Sequence, residues 1–208
     1  MDINQELWQY GTSVQIAGQL YDFVDILAEW NAKINLVSKN SFADVWERHI
    51  FDSLQLIDYV PSGVKNIVDI GSGAGFPAVV LAIAAQEKLP QAKITMVESI
   101  TKKTVYLNDT INKLGLKNAE VLNSRVENTV FKAVDVVTAR AVAALEVLFE
   151  YQNKIGNGKT MGIYLKGQSY VQEVEKACKK WNFNCEVKKN KYNESGVILL
   201  VSDLRRKI

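Results

Sequence analysis

The chain has 208 residues, 48% of them apolar and 23% charged, with a formal net charge of +2. That length suits one well-packed domain with a small extension, and no apolar run approaches the roughly 20 residues that a membrane-crossing helix needs. The N-terminal stretch MDINQELWQYG has neither a basic nor an apolar signal region, which predicts a cytoplasmic protein without a membrane partner. Cys178 and Cys185 are the only cysteines, too few and wrongly spaced for a disulfide framework or a zinc site, so no metal is expected and both read as small, half-buried hydrophobes.

In chain order, Ile16, Leu20, Phe23, Leu27 and Trp30 recur every three or four residues, which predicts a helix from about Val14 to Ile34. A second helical region covers roughly Ala43 to Tyr59 and ends at Pro61-Ser62-Gly63. Residues 1–64 thus form a helical extension, and residues 65–208 form the main domain. From Lys65 on, β-rich runs at 66–70, 93–98, 119–123, 134–139 and 161–166 alternate with helical stretches near 76–87, 101–115, 143–154 and 169–181. Val/Ile runs without polar alternation suit strands covered on both faces, hence a parallel sheet between helices. The last two runs, 184–192 and 196–203, are joined only by the short polar turn Asn193–Ser195, which can connect antiparallel neighbours alone. An α/β domain of five parallel strands closed by an antiparallel hairpin is the Rossmann-like layout of class I S-adenosylmethionine-dependent methyltransferases.

The stretch VDIGSGAGFP, 68–77, falls between the first strand and its helix, where strand ends form the ligand crevice of an open α/β sheet. Gly71, Gly73 and Gly75 carry no Cβ, so the backbone turns sharply and a flat ligand can lie against it. The spacing is GxGxG, not the GxGxxG that brings a helix N-terminus to a pyrophosphate, and S-adenosylmethionine has no phosphate to hold. Together with the hairpin, this spacing favours that methyl donor over a dinucleotide. Glu98 ends the second strand, where it can accept hydrogen bonds from a ribose diol. Arg125, Val126 and Glu127 follow the third strand, where they would flank the adenine ring. Arg140 follows the fourth, near the methyl-transfer position. A cofactor carboxylate or a substrate phosphate is expected beside it, the alternative being an ion pair with Asp135 or Glu146.

Absences narrow the acceptor. After the fourth strand the chain reads TARAVAAL rather than the Asn/Asp-Pro-Pro-Tyr/Phe of exocyclic-amine methyltransferases, and no cysteine stands beside the crevice to attack a pyrimidine. A guanine N7 needs neither device, since it offers an in-plane lone pair and has no proton to lose. Residues 1–100 hold 6 Lys and Arg against 12 Asp and Glu, a balance of −6, and the remaining residues hold 19 against 11, a balance of +8. A basic second half is compatible with a nucleic-acid partner and with a solvated face alike.

The segments NLVS (35–38), RHIFDS (48–53), VDIGSGAGFP, Glu98 with Lys102-Lys103, SRVE (124–127), TARA (138–141) and YLKGQ (164–168) carry a resemblance over nearly the whole chain. In order and spacing they are similar to the bacterial guanine-N7 methyltransferases of small-subunit (16S) ribosomal RNA, the glucose-inhibited division protein B family. The resemblance implies a cytoplasmic enzyme that methylates N7 of one guanine in the decoding-region loop of 16S RNA, acting on the RNA or the small ribosomal subunit. Separately from the resemblance, the chain is expected to work as a monomer. By position, it puts cofactor contacts on Gly71, Phe76, Val126, Glu127 and Arg140.

Asn35, Arg48, His49, Asp52 and Ser53 then fall where they can roof the crevice. His49 is the only histidine, with orientation of substrate or cofactor as its expected role and proton transfer as the alternative. Candidate RNA contacts are Arg48, Lys102, Lys103, Arg125, Arg140 and Lys166, with the tail LRRKI as an addition. A class I methyltransferase acting on a small molecule or a protein is the competing reading.

Overall fold

Helix α1 (Ile3–Gln9) starts where the Asp2 carboxylate accepts the backbone N–H groups of Asn4 and Gln5. Helix α2 runs Val14–Ile34 as the spacing predicts, capped by Ser13 and closed by Asn35 in the left-handed conformation. A computed structural model describes residues 1–207 of the chain.

The helical region expected from about Ala43 to Tyr59 is helical and is built of four short pieces beginning at Lys39. These are α3 (Lys39–Ala43), a π-helical turn (Trp46–Phe51), α4 (Asp52–Leu54) and a 3-10 turn (Gln55–Tyr59). Every residue from His49 to Ile57 is buried, so no polar stripe holds the segment to one helical period. The π-turn falls on the sequence RHIF, and such turns recur at functional sites.

The sheet has seven strands: β1 (Asn66–Ile70), β2 (Lys93–Glu98), β3 (Ala119–Asn123), β4 (Val136–Arg140), β5 (Met161–Lys166), β6 (Trp181–Lys189) and β7 (Val197–Arg206). Their order is β3-β2-β1-β4-β5-β7-β6, with the first five parallel and β7 antiparallel to both β5 and β6. Helices α5 (Ala78–Lys88), α6 (Thr101–Leu114), α7 (Leu145–Ile155) and α8 (Tyr170–Ala177) lie between the strands in sequence. The chain order reverses between β1 and β4, which puts the ligand crevice above the carboxyl ends of those two strands.

Alternate residues along the strands serve two apolar clusters. Ile67, Ile94, Val136 and Ile163 face α2, α5, α6 and the extension, whereas Val68, Val97, Val137 and Tyr164 face α7, α8 and Trp181. Leu20, Phe23 and Leu27 of the extension share the first cluster with Phe76, Val79 and Ile83. For that reason α5 is buried from Ala78 to Ala85, covered by the sheet on one side and α2 on the other.

Several boundaries move. The helix expected to 181 stops at Ala177, because Trp181 opens β6 and packs edge-on against Phe149 with ring centroids 6.1 Å apart. Strand β6 ends at Lys189 rather than 192, since Asn190 turns inward and is buried. The LRRKI tail is an extension of β7 through Arg206, and Ile208 lies outside the described residues. Cys185 is half-buried as expected, but Cys178, at the C-terminal end of α8, is exposed. No helix among the described residues is long and apolar enough to cross a membrane, and no group of His, Cys, Asp and Glu among them could hold a metal ion.

Candidate active site

The glycine loop leaves β1 through three residues with positive φ, Gly71 at 68°, Gly73 at 55° and Gly75 at 89°. A Cβ on Gly71 would stand 2.7 Å from Val142 Cγ2, and one on Gly75 would stand 2.7 Å from Val79 Cγ2. The two outer glycines therefore let the loop pack down on its own domain. A Cβ on Gly73 would meet only the Gly71 carbonyl oxygen, 3.6 Å away, and otherwise project into open space. Glu98 fixes this middle residue: one carboxylate oxygen accepts the Gly73 N–H at 3.0 Å and the other accepts the Ile100 N–H at 2.8 Å.

Beneath the loop, Asp69 is 1% exposed. Its Oδ1 accepts the Thr138 hydroxyl at 2.6 Å across the β1–β4 register, and its Oδ2 has no hydrogen-bond partner. Burial pushes the carboxyl up to about 6, against the downward pull of the Thr138 hydroxyl and the Arg140 guanidinium, while the Ser72 hydroxyl donates to the Asp69 backbone carbonyl at 3.4 Å and not to the carboxylate. Asp69 leads into the glycine loop in the sequence, two residues before the first glycine, but nothing in the sequence shows that one of its oxygens is buried without a partner.

Arg140 is the last residue of β4, not the first after it. Its Nη1 donates to the Arg48 carbonyl and to Asp52 Oδ2, each at 2.9 Å, and its Nη2 donates to His49 Nδ1. The carboxylate beside Arg140 is thus Asp52 of the extension, and neither alternative expected from the sequence holds. Asp135 instead accepts the N–H groups of Lys65 and Asn66, both at 2.8 Å, and Glu146 pairs with Lys176 and Lys180. A guanidinium has five N–H donors, so two remain after these three bonds for another acceptor.

His49 stacks on Phe76, with centroids 4.8 Å apart and planes at 18°, while Arg140 lies over the same ring at 5.2 Å. A guanidinium only donates, so Nδ1 of His49 is the unprotonated nitrogen and Nε2 carries the hydrogen toward Ser41 Oγ. Burial, with the charges of Arg140 and Arg48, pulls the imidazole down to about 3, and the ring is neutral at physiological pH.

Two cavities open along the carboxyl edge of the sheet. The smaller, about 190 Å³, is lined by Gly71, Ser99, Arg125, Val126, Glu127 and Val142. The larger, about 580 Å³, is lined by Arg48, His49, Asp52, Arg140, Lys166 and the β6–β7 connection from Asn190 to Ser195. The loop after β4 serves both, through Ala141 in the larger and Val142 in the smaller.

The expected residues are therefore divided. Gly71, Val126 and Glu127 share the smaller cavity with Arg125. Gly73 and Glu98 are hydrogen-bonded to each other in the adjoining loop, Gly75 packs against Val79 and Phe23, and Phe76 lies under His49 and Arg140 of the larger cavity. Among the expected RNA contacts, Arg48 is exposed at the larger cavity. Lys166 lines the same cavity, but its ammonium is held by Glu173 at 2.6 Å and the Ala143 carbonyl at 3.0 Å. Lys102 and Lys103 stand on the first turn of α6 and line neither cavity. Asp52 belongs to the quoted RHIFDS segment. Asn190, which lines the larger cavity, and Gln55, buried behind it, carry no sequence signal, being 135 positions apart.

The model of the family described as rRNA small subunit methyltransferase G matches residues 16–197. A protein of that name from Rickettsia bellii is 35% identical over 192 residues, covering 92% of this chain and 96% of its own. Another from a Ruegeria species is 37% identical, covering 90% and 91%. A solved SAM-dependent methyltransferase from Aquifex aeolicus shares the fold with a TM-score of 0.55 at 18% identity, covering 76% of this chain and 91% of that one. The glycine loop, the β4 arginine and the seven-strand order stand on a chain that belongs to the rRNA small subunit methyltransferase G family.

Proposed function

We propose that this protein transfers a methyl group from S-adenosylmethionine to N7 of a guanine in small-subunit ribosomal RNA, the decoding-region loop being the target that the family resemblance implies. One observation carries the reading: the partly engaged guanidinium of Arg140 stands where a nucleoside-sized cavity and a larger polar cavity share the loop after β4.

The residues fit the donor. The smaller cavity offers backbone at Gly71 and the walls Val126 and Val142 for an adenine ring, and Glu98 is oriented toward the loop to receive a ribose diol. The unpartnered Oδ2 of Asp69 suits the donor's ammonium group, and the two spare N–H groups of Arg140 suit its carboxylate. When bound, the donor supplies a sulfonium methyl carbon, which the N7 lone pair attacks as the carbon–sulfur bond breaks toward sulfur and the positive charge passes to the purine.

The acceptor has no proton to lose, so the chain need only hold the base in line and keep water out. His49 agrees with this: it is neutral, both its nitrogens are occupied, and it stacks on Phe76 and orients Arg140. The extension and the methyltransferase domain act together in this reading, because Arg48, His49 and Asp52 reach Arg140 from the extension. Arg48, Arg125, Lys102 and Lys103 meet RNA phosphates. The protein works as a monomer in the cytoplasm, where ribosomal RNA lies.

The test is incubation with labelled donor and undermethylated small subunits, followed by reduction and aniline cleavage, which breaks RNA at 7-methylguanosine. Label and cleavage at one guanine support the proposal. Label on another base, or on a protein or small-molecule acceptor alone, refutes it.

A further inference from the structure

Behind the larger cavity lies a buried hydrogen-bonded chain to which the methyl-transfer reading assigns no part. Asn190, 3% exposed, directly follows β6. Its Nδ2 donates to Asp52 Oδ1 at 2.6 Å, and its Oδ1 accepts from Gln55 Nε2 and from the Tyr192 N–H, both at 2.9 Å. Gln55, fully buried, also donates to the Asp52 carbonyl at 3.1 Å and accepts the Lys191 N–H at 3.0 Å. Asp52 gives its other oxygen to Arg140.

We propose that Asn190 and Gln55 are positioning residues for methyl transfer: they lock the Asp52 carboxylate so that Arg140 is aimed at the boundary of the two cavities, and so couple the β6–β7 loop to the reacting centre. The proposal rests on the methyltransferase reading above. Strand β7 pairs antiparallel with β5, Val197 opposite Lys166, which brings the β6–β7 loop to the same sheet edge as the glycine loop. The tip of that loop, Asn193 to Ser195, lines the larger cavity. Whatever displaces the tip pulls on Asn190 and Lys191, the two anchors of Asp52 and Gln55.

The chemistry of the anchors is specific. An amide donates to Asp52 and accepts from Gln55 with one planar group, which an ionised carboxylate cannot do. Held by Arg140 alone, the carboxylate could turn about its own axis, and with Oδ1 also fixed it cannot. A fully satisfied buried network contributes orientation more than net stability. An error of about 1 Å in a positioned group can cost on the order of a hundredfold in rate.

The test is Asn190→Asp, which turns the donor into a second carboxylate facing Asp52. The surrounding charged and titratable groups are Arg140 and Arg48, the Lys166–Glu173 pair and Glu194 of the cavity wall, Tyr192 with Glu6, the exposed pair Lys191–Asp58, and His49, which stays neutral. Two carboxylates in contact hold one proton at raised pH, and the protonated form regains the missing donor. With saturating donor, kcat falls by about ten- to a hundredfold near pH 8 and recovers by roughly tenfold near pH 6. Asn190→Ala is low at every pH, and Asn182→Asp, the same change on the exposed side of β6, keeps the original kcat. Should melting show Asn190→Asp unfolded, Asn190→Ala decides, with reduced kcat at unchanged affinity for the demethylated donor as the supporting result. A folded variant within twofold of the original kcat across the pH range overturns the proposal. So does a loss that only tracks the unfolded fraction. Absence of transfer by the unsubstituted protein overturns the methyltransferase reading itself.

Discussion

Replacing Asp69 by Asn should separate stability from ligand binding. The buried carboxyl titrates at about 6 against an ordinary 3.8, so between those values the folded protein binds more protons than the unfolded chain. Its favourable contribution is present at low pH and is lost as pH rises through about 6. The shift of about two units means that holding Asp69 ionised at pH 8 costs about 3 kcal/mol. Asparagine removes that cost and keeps an acceptor for Thr138, but it puts an amide donor where Oδ2 has no partner, at about 1–3 kcal/mol. The net expectation at pH 8 is a ligand-free variant equal to the original or up to about 2 kcal/mol more stable, read by urea unfolding. Affinity for the donor and its demethylated product, both carrying the ammonium, should fall roughly ten- to a hundredfold in calorimetry, as expected for the loss of a charge-assisted hydrogen bond. In the original protein that affinity should decline as pH drops below about 6, and the decline should vanish in the variant. A variant that binds both ligands normally, or that loses several kcal/mol, would refute the assignment of Oδ2 to the ammonium.

Other expectations follow from the same geometry. Asp52→Ala strands a largely buried guanidinium and should cost about 3–5 kcal/mol in denaturant unfolding, well beyond a surface ion pair; a loss under about 1 kcal/mol contradicts the buried bridge. Gly73→Ala places its methyl in open space at φ 55°, so it should cost only about 1–2 kcal/mol in stability while weakening donor binding. Gly71→Ala adds contact with Val142 and should cost more; equal melting temperatures for the two variants would count against this packing. The pH–rate profile should carry a limb near 6 that disappears in Asp69→Asn and persists in His49→Asn, because the imidazole does not titrate in that range. RNA binding should weaken steeply with salt, and Arg48→Ala should lower the slope of log affinity against log salt by about 1; an unchanged slope removes Arg48 from the phosphate contacts.

Much of the fold is written locally. Ile16 to Trp30 repeat at helical spacing, and NIVDI, KITMVE and MGIYLK are apolar on both faces, so the alternation of strand and helix can be read one window at a time. The glycine loop is legible for the same reason: a left-handed turn directly after a strand admits few residues other than glycine. Where burial is complete the signal fails, as between His49 and Ile57, since a segment covered on all sides shows no period to choose between one helix and several turns.

The sequence by itself determined the class of sheet, the place of the crevice and the residues at strand ends, because those depend on hydrophobic periodicity and on backbone angles open mainly to glycine. Only the tertiary structure decided which partners meet there. Arg140 finds Asp52 across 88 positions, and Asp52 finds Asn190 across 138. A hydrogen bond depends on separation in space, and the sheet order that sets this separation leaves no mark on the neighbours of either residue.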